Sequence, residues 1–399
     1  MKKTLALLAA LLSAAALFAQ EPQQNEQPQQ QAAPAPMPPH RRPQLMPGQY
    51  LGFSGQTSVT PQGSYTPDFK IDGSNAKIKN VILLIGDGMG LGAVTSAMFA
   101  NGNELTMTNL QTIGFVRTQS VSDFTTDSAA SGTAWATGHK TNNGYVGMGP
   151  DGEKLTNIPE AIAPYGYVSG VVSTDGLAGA TPAAFYAHQS ARGESAAIWG
   201  DIPGCTLIFL AAGSKKEFDT LPLSTQDAIK GQYTVLSEPD ADAFANADKI
   251  CYTAVNVGNG RGDWLPATTQ TAIDFLKART KKGFFLMVEG AHIDHEAHAN
   301  KATLVQETLD FDKAVEAAVR FAEKDGHTLV LVSADHETGA VVVRKGNFEE
   351  NSVEMTFASR GHSPMMVPLF AYGPGSKQFA RVQENSDVSN MIRKILIGK

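Results

Sequence analysis

The feature that most constrains the fold is a series of short apolar runs, each dominated by Val, Ile, Leu or Phe and without polar–apolar alternation. The five runs are Val81–Ile85, Val168–Val172, Phe284–Val288, Thr328–Val332 and Val367–Tyr372. A strand buried on both faces has this pattern, whereas a strand with one solvent-exposed face alternates. Helical patterns separate the runs, the clearest at Ala302–Lys324. Strands that alternate with helices predict an α/β fold, with a mostly parallel central sheet between two layers of helices.

The N-terminus has the order of a secretory signal peptide. Two lysines near the start precede an apolar stretch, Leu5–Phe18, which ends at the small residue Ala19. This stretch is too short to span a bilayer, and no later run approaches the roughly 20 apolar residues that a membrane helix needs. We therefore expect residues 1–19 to be a cleaved signal peptide, and the protein to be secreted or periplasmic without a membrane span.

Residues 20–65 are expected to form a flexible segment, because the chain from Glu21 to about Pro47 consists mostly of Gln, Pro, Ala and Arg. Residues 66–399 are expected to form one large globular domain. Within it, the stretch 201–260 lacks strong periodicity and is expected to be a smaller insertion. Cys205 and Cys251 are too few and too far apart for a thiolate metal site, and the sequence leaves open whether they pair.

The net charge of −7 argues against a nucleic-acid-binding surface. It does not exclude a phosphorylated substrate, because bound cations can reverse the local charge.

The residues that follow the apolar runs are of the types that bind metals. The first run leads to Asp87, the second to Thr181, the third to Glu289, Asp294 and His298, and the fourth to Asp335 and His336. In open α/β sheets, ligands bind outside the carboxyl ends of the parallel strands. One acidic residue after a strand is commonly a helix cap, but capping does not explain four such strand endings. The sequence therefore predicts a ligand site at this edge of the sheet.

The chemistry of these side chains points to divalent cations. Four carboxylates, those of Asp87, Glu289, Asp294 and Asp335, cannot all stay ionised close together in a partly desolvated site without cations. The imidazoles of His298, His336 and His362 complete a mixed set that suits zinc. Seven such ligands fit two ions better than one. Two ions a few ångströms apart are a recurrent means of holding the entering and leaving oxygens at phosphorus.

Ser128 lies in a segment of small residues, Thr126–Gly138, whose pattern predicts a tightly packed helix. The N-terminus of a helix favours a dianionic phosphate and an ionised serine. A serine at a helix start is more often only a cap. Local spacing therefore leaves both interpretations of Ser128, nucleophile and cap, open.

Five segments together resemble the signatures of the alkaline phosphatase family, in the family's own order. They are Gly86–Gly90, Thr126–Gly138, Val288–Asp294, Ser333–His336 and Gly361–His362. The resemblance extends from about Lys79 to Pro374. It implies an alkaline phosphatase-like fold and a metal-dependent enzyme that hydrolyses small phosphate monoesters, and it leaves a homodimer open.

The resemblance also implies roles for single residues. A first zinc site would consist of Asp294, His298 and His362, and a second of Asp87, Asp335 and His336, with Ser128 bound as its alkoxide. Glu289, Thr181 and a shared Asp87 oxygen would form a third site, usually occupied by magnesium. Arg192 would hold two phosphate oxygens, a contact that suits its planar guanidinium. Attack by Ser128 and hydrolysis of the resulting phosphoserine are two in-line steps, so the configuration at phosphorus would be retained.

Two positions depart from well-known family members. Gly179, two residues before Thr181, stands where bacterial members often carry Asp and animal members His, so this position offers the third ion no side-chain ligand. His295 stands where some bacterial enzymes have a lysine near the phosphate, whereas animal members also have His. Because imidazole is neutral above pH ~7, we expect His295 to retain phosphate weakly and the pH optimum to be alkaline.

Three other functions are less consistent with the sequence. A sulfatase would need a Cys or Ser within a Cys/Ser-x-Pro-x-Arg motif, but Ser128 is followed by Ala-Ala-Ser. A phosphodiesterase of the same superfamily usually has a Thr nucleophile and lacks the equivalents of Arg192, Thr181 and Glu289. A phosphate- or metal-binding protein without catalysis would have lost Ser128 or a zinc ligand, and none is lost.

Overall fold

The computed structural model describes residues 52–398. Its strands are β1 Phe53–Ser58, β2 Asn80–Gly86, β3 Thr112–Arg117, β4 Val168–Ser173, β5 Phe209–Ala212, β6 Thr234–Leu236, β7 Ile250–Thr253, β8 Phe284–Gly290, β9 Thr328–Ser333, β10 Glu337–Thr338, β11 Val341–Asn347, β12 Ser352–Phe357, β13 His362–Ser363, β14 Val367–Tyr372 and β15 Val382–Glu384. Its α-helices are α1 Leu91–Ala100, α2 Ser128–Thr137, α3 Ile158–Ile162, α4 Ala180–Ala183, α5 Ser195–Asp201, α6 Lys215–Thr220, α7 Leu223–Lys230, α8 Ala241–Asn246, α9 Trp264–Ala278, α10 His292–His298, α11 Leu304–Asp325 and α12 Asn385–Ile397.

Ten strands form one central sheet in the order β15-β3-β14-β9-β2-β8-β4-β5-β7-β6. All neighbouring strands are parallel except β14, which is antiparallel to both β3 and β9. Every residue of β2, β8, β9 and β14 is buried. The five apolar runs are thus confirmed as strands of a mostly parallel sheet, and the absence of alternation reflects helices packed on both faces.

Two groups of helices cover the sheet. Helix α11 packs against α1 and α9, and α9 and α11 pack against the central strands, whereas α2, α3, α4 and α12 form the second group. The helix predicted at Ala302–Lys324 is confirmed as α11, Leu304–Asp325, whose apolar residues are buried. It ends at Gly326, which has a φ of 72° and so adopts the left-handed conformation that favours glycine at this position.

Residues 52–65 are part of this fold, although the sequence assigned them to the flexible segment. Strand β1 pairs along its whole length with β12, with Phe53 opposite Phe357 and Ser58 opposite Ser352. Backbone hydrogen bonds to a distant strand therefore order a stretch whose own side chains are mostly small and polar. The remainder of the segment 20–65 and the expected signal peptide, residues 1–19, lie outside the described residues. No described helix is both long and apolar enough to cross a membrane.

The stretch 201–260, expected to be a smaller insertion, forms one end of the central sheet. Its strands β5, β7 and β6 add to the sheet beyond β4, all in parallel. They contain three or four residues each, which is too short for a recognisable sequence period. Cys205 and Cys251 are buried and free, so they do not pair.

Arg261 links the loop before α9 to helix α11. Its side chain is only 6% exposed and forms ion pairs with Glu307 and Asp310. Nη2 lies 2.7 Å from Asp310 Oδ2, and Nη1 donates to Glu307 Oε1 at 3.2 Å. A buried cation with two carboxylate partners holds this loop in place.

Candidate active site

Three neighbouring strands bring their acidic residues to one edge of the sheet. In the register of β2, β8 and β9, Gly86 lies opposite Gly290, and Ile85 lies opposite both Glu289 and Ser333. Asp87 N donates to Gly290 O at 3.2 Å, which closes this edge immediately beyond β2. Because the chain leaves β2 and β9 at nearly the same level, Asp87 and Asp335 emerge side by side.

A first group of possible ligands contains Asp294, His336 and His362, with one ligand atom of each within 4.8 Å of the others. His298 borders this group. Its Nε2 lies 3.2 Å from Asp294 Oδ2 and 3.1 Å from His362 Nε2. Asp294 and His298 are both on α10 at i, i+4, so one helical turn presents both side chains to the same point.

A second group contains Asp87, Asp335 and His336, also within 4.8 Å. His336 Nε2 lies 3.4 Å from Asp87 Oδ1 and 3.2 Å from Asp335 Oδ2. Ser128 Oγ lies 3.2 Å from the same nitrogen. Asp335 and His336 lie in the loop between β9 and β10, the irregular backbone that two adjacent ligands require. The serine thus faces the predicted second ion site.

The three histidines are oriented by their other ring nitrogens. Each Nδ1 contacts an oxygen, so that Nε2 is directed at the carboxylates. The partners are Arg360 O for His298, Thr126 O for His362 at 2.9 Å, and Thr338 Oγ1 for His336 at 3.2 Å. Such contacts fix the ring orientation of metal-binding histidines and leave Nε2 available as a ligand.

The electrostatics of the site favour a bound cation. Burial, followed by the charges of Asp335 and Asp294, raises the pKa of Asp87 well above its usual value. Burial also raises the pKa of Asp335 to about 6. It lowers the pKa of His336 to about 4, which keeps that imidazole neutral. Buried carboxylates ionise readily only when a positive charge lies near them, and a neutral imidazole provides none. Divalent cations would supply that charge.

Asp294 behaves differently from the other carboxylates. Burial alone would raise its pKa, but contacts with His298, His336 and Thr338 outweigh burial and lower the pKa below the usual range. Asp294 is therefore ionised, as a metal ligand must be.

Two buried oxygens in the second group have no hydrogen-bond partner among residues 52–398. They are Asp87 Oδ1 and Asp335 Oδ2. The other oxygen of Asp335, Oδ1, accepts from Gly88 N at 3.0 Å and from His336 N at 2.9 Å. An unsatisfied buried acceptor costs about 1–3 kcal/mol, and a metal ion would remove this cost. With their imidazole and carboxylate donors, the residues present fit two zinc-type ions.

Helix α2 holds Ser128 at its first position. The N-cap is Asp127, whose Oδ1 accepts from Ala130 N at 2.9 Å. The capping interpretation of Ser128 is therefore wrong, because the preceding residue caps the helix. Every residue of α2 is buried, and a Cβ at Gly132 would lie 3.3 Å from Thr181 Cα. The small residues of α2 thus allow α4 to pack closely and bring Thr181 towards the site.

Glu289 and Thr181 lie beside each other at the end of β8. Both are 1% exposed, and Ser173 Oγ donates to Glu289 Oε2. Burial, and next the charge of Asp175, raises the pKa of Glu289 to about 8. The Thr181 hydroxyl is near enough to lower that pKa but makes no hydrogen bond of normal geometry among the described residues. These oxygens are hard donors of the kind that magnesium prefers.

Arg192 lies at the rim of the site and is 44% exposed. Its Nη1 donates to Asp127 Oδ2 at 3.2 Å, and its backbone N donates to Gly144 O at 2.8 Å. Asp127 thereby connects the arginine to the start of α2, next to Ser128.

His295 is on the exposed side of α10, and its ring packs edge-to-face on that of His292 with 4.9 Å between centroids. The structure does not bring it into either ligand group.

Sequence reasoning missed three residues that contact the site. They are Asp127, Thr338 and Asp175. Thr338 donates to Asp294 Oδ1, and no sequence pattern marks it. Asp175 follows β4 by two residues, so the rule that located the other strand-end ligands could have found it.

Comparisons with known proteins give one consistent result. The alkaline phosphatase family model matches residues 78–204 and 262–353. The alkaline phosphatase of Escherichia coli is 31% identical over 423 aligned residues, which cover 82% of this chain and 88% of that protein. Alkaline phosphatase 4 of Bacillus subtilis is 29% identical and covers 80% and 89%.

The solved structures agree. The alkaline phosphatase of the Antarctic bacterium TAB5 superimposes with a TM-score of 0.75 at 37% identity, covering 80% of this chain and 98% of that one. A variant of that enzyme, with one histidine replaced by glutamate, has the same TM-score at 36% identity and has magnesium bound in its M3 site.

Proposed function

Because this chain belongs to the alkaline phosphatase family and is an enzyme that hydrolyses phosphate monoesters, we propose that it acts through a phosphoserine intermediate on Ser128. The observation that carries this proposal is the position of the Ser128 hydroxyl. It lies at the N-terminus of a buried helix, 3.2 Å from His336 Nε2, and its residue follows Asp127, which accepts a hydrogen bond from Arg192. Helix N-termini favour anions, so both the alkoxide and an incoming phosphate would be stabilised there.

Two zinc ions are proposed for the two ligand groups. Asp294, His298 and His362 would hold the first, and Asp87, Asp335 and His336 the second, with Ser128 as a further ligand. Bound there, zinc would lower the pKa of the serine and of water and neutralise the departing oxygen. The neutral imidazole of His336 and the unpartnered oxygens of Asp87 and Asp335 support this assignment.

A magnesium ion is proposed for a third site at Asp87, Glu289 and Thr181. The magnesium bound in the M3 site of the TAB5 variant supports this for a similar fold. In this chain the support comes from three hard oxygen donors, two of which have an unpartnered buried oxygen.

The protein's own residues have separate roles in the reaction. Arg192 binds two non-bridging oxygens of the phosphate and sets the phosphorus in line with Ser128 Oγ. Ser128 attacks, the ester oxygen leaves, and the phosphate remains on the serine. Water attacks the phosphoserine in the second step and releases inorganic phosphate. Asp127 keeps both Arg192 and the start of α2 in place throughout.

His295 is proposed to face the bound phosphate from α10, as a weaker phosphate ligand than a lysine would be. Replacing it tests this directly, because His295→Lys should lower the inhibition constant for inorganic phosphate at alkaline pH. No tightening in the variant contradicts the proposal.

The proposed setting is outside the cytoplasm. Residues 1–19 would direct export, and the substrates would be small phosphate esters that reach the open rim at Arg192. A homodimer is consistent with this proposal, and sedimentation of the purified protein would establish its state.

Hydrolysis of p-nitrophenyl phosphate in the presence of zinc and magnesium tests the proposal. Ser128→Ala should abolish turnover while zinc content stays unchanged. Ser386→Ala, which also alters a serine near a helix start, should keep full activity. Full activity in Ser128→Ala refutes the mechanism, and metal binding without activity in the wild type would indicate a binding protein.

A further inference from the structure

Gly179 lies against a carboxylate. A Cβ built at this glycine would be 2.2 Å from Asp175 Oδ2 and 2.7 Å from its Cγ. Real Cβ atoms do not approach other atoms so closely, so a side chain at residue 179 and the present position of Asp175 exclude each other. The space that a side chain at 179 would enter is already occupied by the Asp175 carboxylate.

Asp175 is fixed close to Glu289. It lies two residues after Ser173, which is the register partner of Glu289 in the sheet. The Asp175 backbone N donates to Ser173 Oγ at 2.8 Å, and this hydroxyl in turn donates to Glu289 Oε2.

One oxygen of Asp175 is available. Oδ1 accepts from Gly176 N at 2.7 Å, whereas no hydrogen bond within residues 52–398 reaches Oδ2. The buried Thr181 hydroxyl, two residues after Gly179, also lacks a partner in the same part of the chain. A cation beside the Thr181 hydroxyl would provide the partner that this buried group lacks.

We propose that Asp175 supplies the carboxylate of the third ion site that residue 179 cannot supply. This inference rests on the proposed function, because it deepens the third site described there. The site would then contain Asp87, Asp175, Glu289 and the Thr181 hydroxyl, a donor set of hard oxygens that suits magnesium. Magnesium usually keeps several of its waters, so a carboxylate can hold it through a bound water as well as directly.

Magnesium affinity of the zinc-loaded enzyme tests the assignment without reference to turnover. Asp175→Asn keeps the size of the side chain but removes its charge. We expect the magnesium dissociation constant, measured by calorimetry, to rise about 10- to 100-fold, while zinc per chain, measured by elemental analysis, stays at the wild-type value. Asp227→Asn, at an exposed position on α7, is the matched control and should bind magnesium as the wild type does. Wild-type magnesium affinity in Asp175→Asn overturns the proposal.

A compensating pair of substitutions tests whether a carboxylate at position 179 can replace the Asp175 carboxylate in the third ion site. Gly179→Asp alone should lower the unfolding temperature and weaken magnesium binding, because its Cβ collides with Asp175. Asp175→Ala in the same chain removes this collision and leaves the Gly176 carbonyl oxygen, 2.9 Å from the built Cβ, as the nearest neighbour. After a small backbone shift, the Asp at position 179 should recover magnesium affinity relative to Asp175→Ala alone. If the double variant binds magnesium no more tightly than Asp175→Ala, the two residues do not substitute for each other and the inference is wrong.

These results are separable from the test of the mechanism. Loss of magnesium affinity in Asp175→Asn together with full activity of Ser128→Ala would retain the third-site assignment and reject the phosphoserine mechanism. Unchanged magnesium affinity in Asp175→Asn together with an inactive Ser128→Ala would reject the third-site assignment and retain the phosphoserine mechanism.

Discussion

Replacing Asp127 by serine separates two roles of one carboxylate. Oδ1 caps α2 through Ala130 N, whereas Oδ2 accepts from Gly144 N at 3.0 Å and from Arg192 at 3.2 Å. A serine keeps one side-chain oxygen, which is enough for the cap, but has no second oxygen to hold Arg192. Asp127→Ser should therefore leave the helix intact and loosen the arginine.

The size of the effect follows from the exposure of the pair. The Arg192 and Asp127 side chains are 44% and 21% exposed and share one contact, so the pair contributes about 0.2–1 kcal/mol. In the proposed mechanism Arg192 binds phosphate with both nitrogens of its guanidinium, so this free energy should be lost from phosphate binding. At about 1.4 kcal/mol per tenfold, the inhibition constant for inorganic phosphate should rise about 1.4- to 5-fold.

The assay is competitive inhibition of p-nitrophenyl phosphate hydrolysis by inorganic phosphate. Removing a negative charge next to Arg192 acts in the opposite direction, so physiological salt is used to screen that contribution. Asp123→Ser, an exposed aspartate of the same loop whose Oδ1 accepts from Thr125 N, is the control. Unchanged or tighter phosphate binding in Asp127→Ser would refute the view that Asp127 holds Arg192 in place.

Three further predictions concern stability and metals. Arg261→Ala leaves two buried carboxylates without their partner and should lower the free energy of unfolding by about 3–5 kcal/mol, measured with urea. Lys215→Ala, at an exposed i,i+4 pair, should cost less than about 1 kcal/mol, and an equal cost would mean that burial does not strengthen the contacts of Arg261. The pKa of His188 is raised by its hydrogen bond to a glutamate, so its charged form stabilises the fold below the unfolded pKa of about 6.5 and less as pH rises through the folded pKa. His188→Gln should therefore destabilise the protein more at pH ~6 than at pH ~9, with metal concentrations fixed, and a pH-independent difference would be inconsistent with this. Finally, because burial raises the pKa of Glu289 to about 8, the metal-free enzyme should release protons when metals bind at pH ~7. Calorimetry in buffers of different ionisation enthalpy measures this release, which should be smaller in Glu289→Gln. Equal release in the two proteins would mean that Glu289 is already ionised before metals bind.

Five of the ten strands of the central sheet and most of the candidate site could be predicted from local sequence. The apolar runs that correspond to β2, β4, β8, β9 and β14 are fully or almost fully buried, and their continuous apolar composition reflects this burial on both faces. Most of the candidate ligands lie at or within a few residues of the carboxyl ends of these strands, and parallel strands align those ends. The fold class and the position of the candidate site could therefore be inferred from short local segments of the sequence.

The features that sequence reasoning missed depend on contacts between distant segments. Strand β1 has no apolar pattern of its own and is ordered by pairing with β12. The sequence alone shows that Gly179 offers the third ion no side-chain ligand, but it does not point to Asp175. Which side chain occupied the space beside it depended on the path of the loop after β4, and no spacing rule encodes that path.

Trapping the phosphorylated enzyme is the direct test of whether Ser128 carries the phosphate during turnover. The metal-loaded protein is mixed with excess substrate or with labelled inorganic phosphate, quenched in acid at a series of times, digested, and analysed by mass spectrometry. The account predicts a single phosphorylated peptide with the phosphate on Ser128, and none in Ser128→Ala. Phosphate on a different residue, or turnover with no phosphoserine at any quench time from either direction, would contradict it.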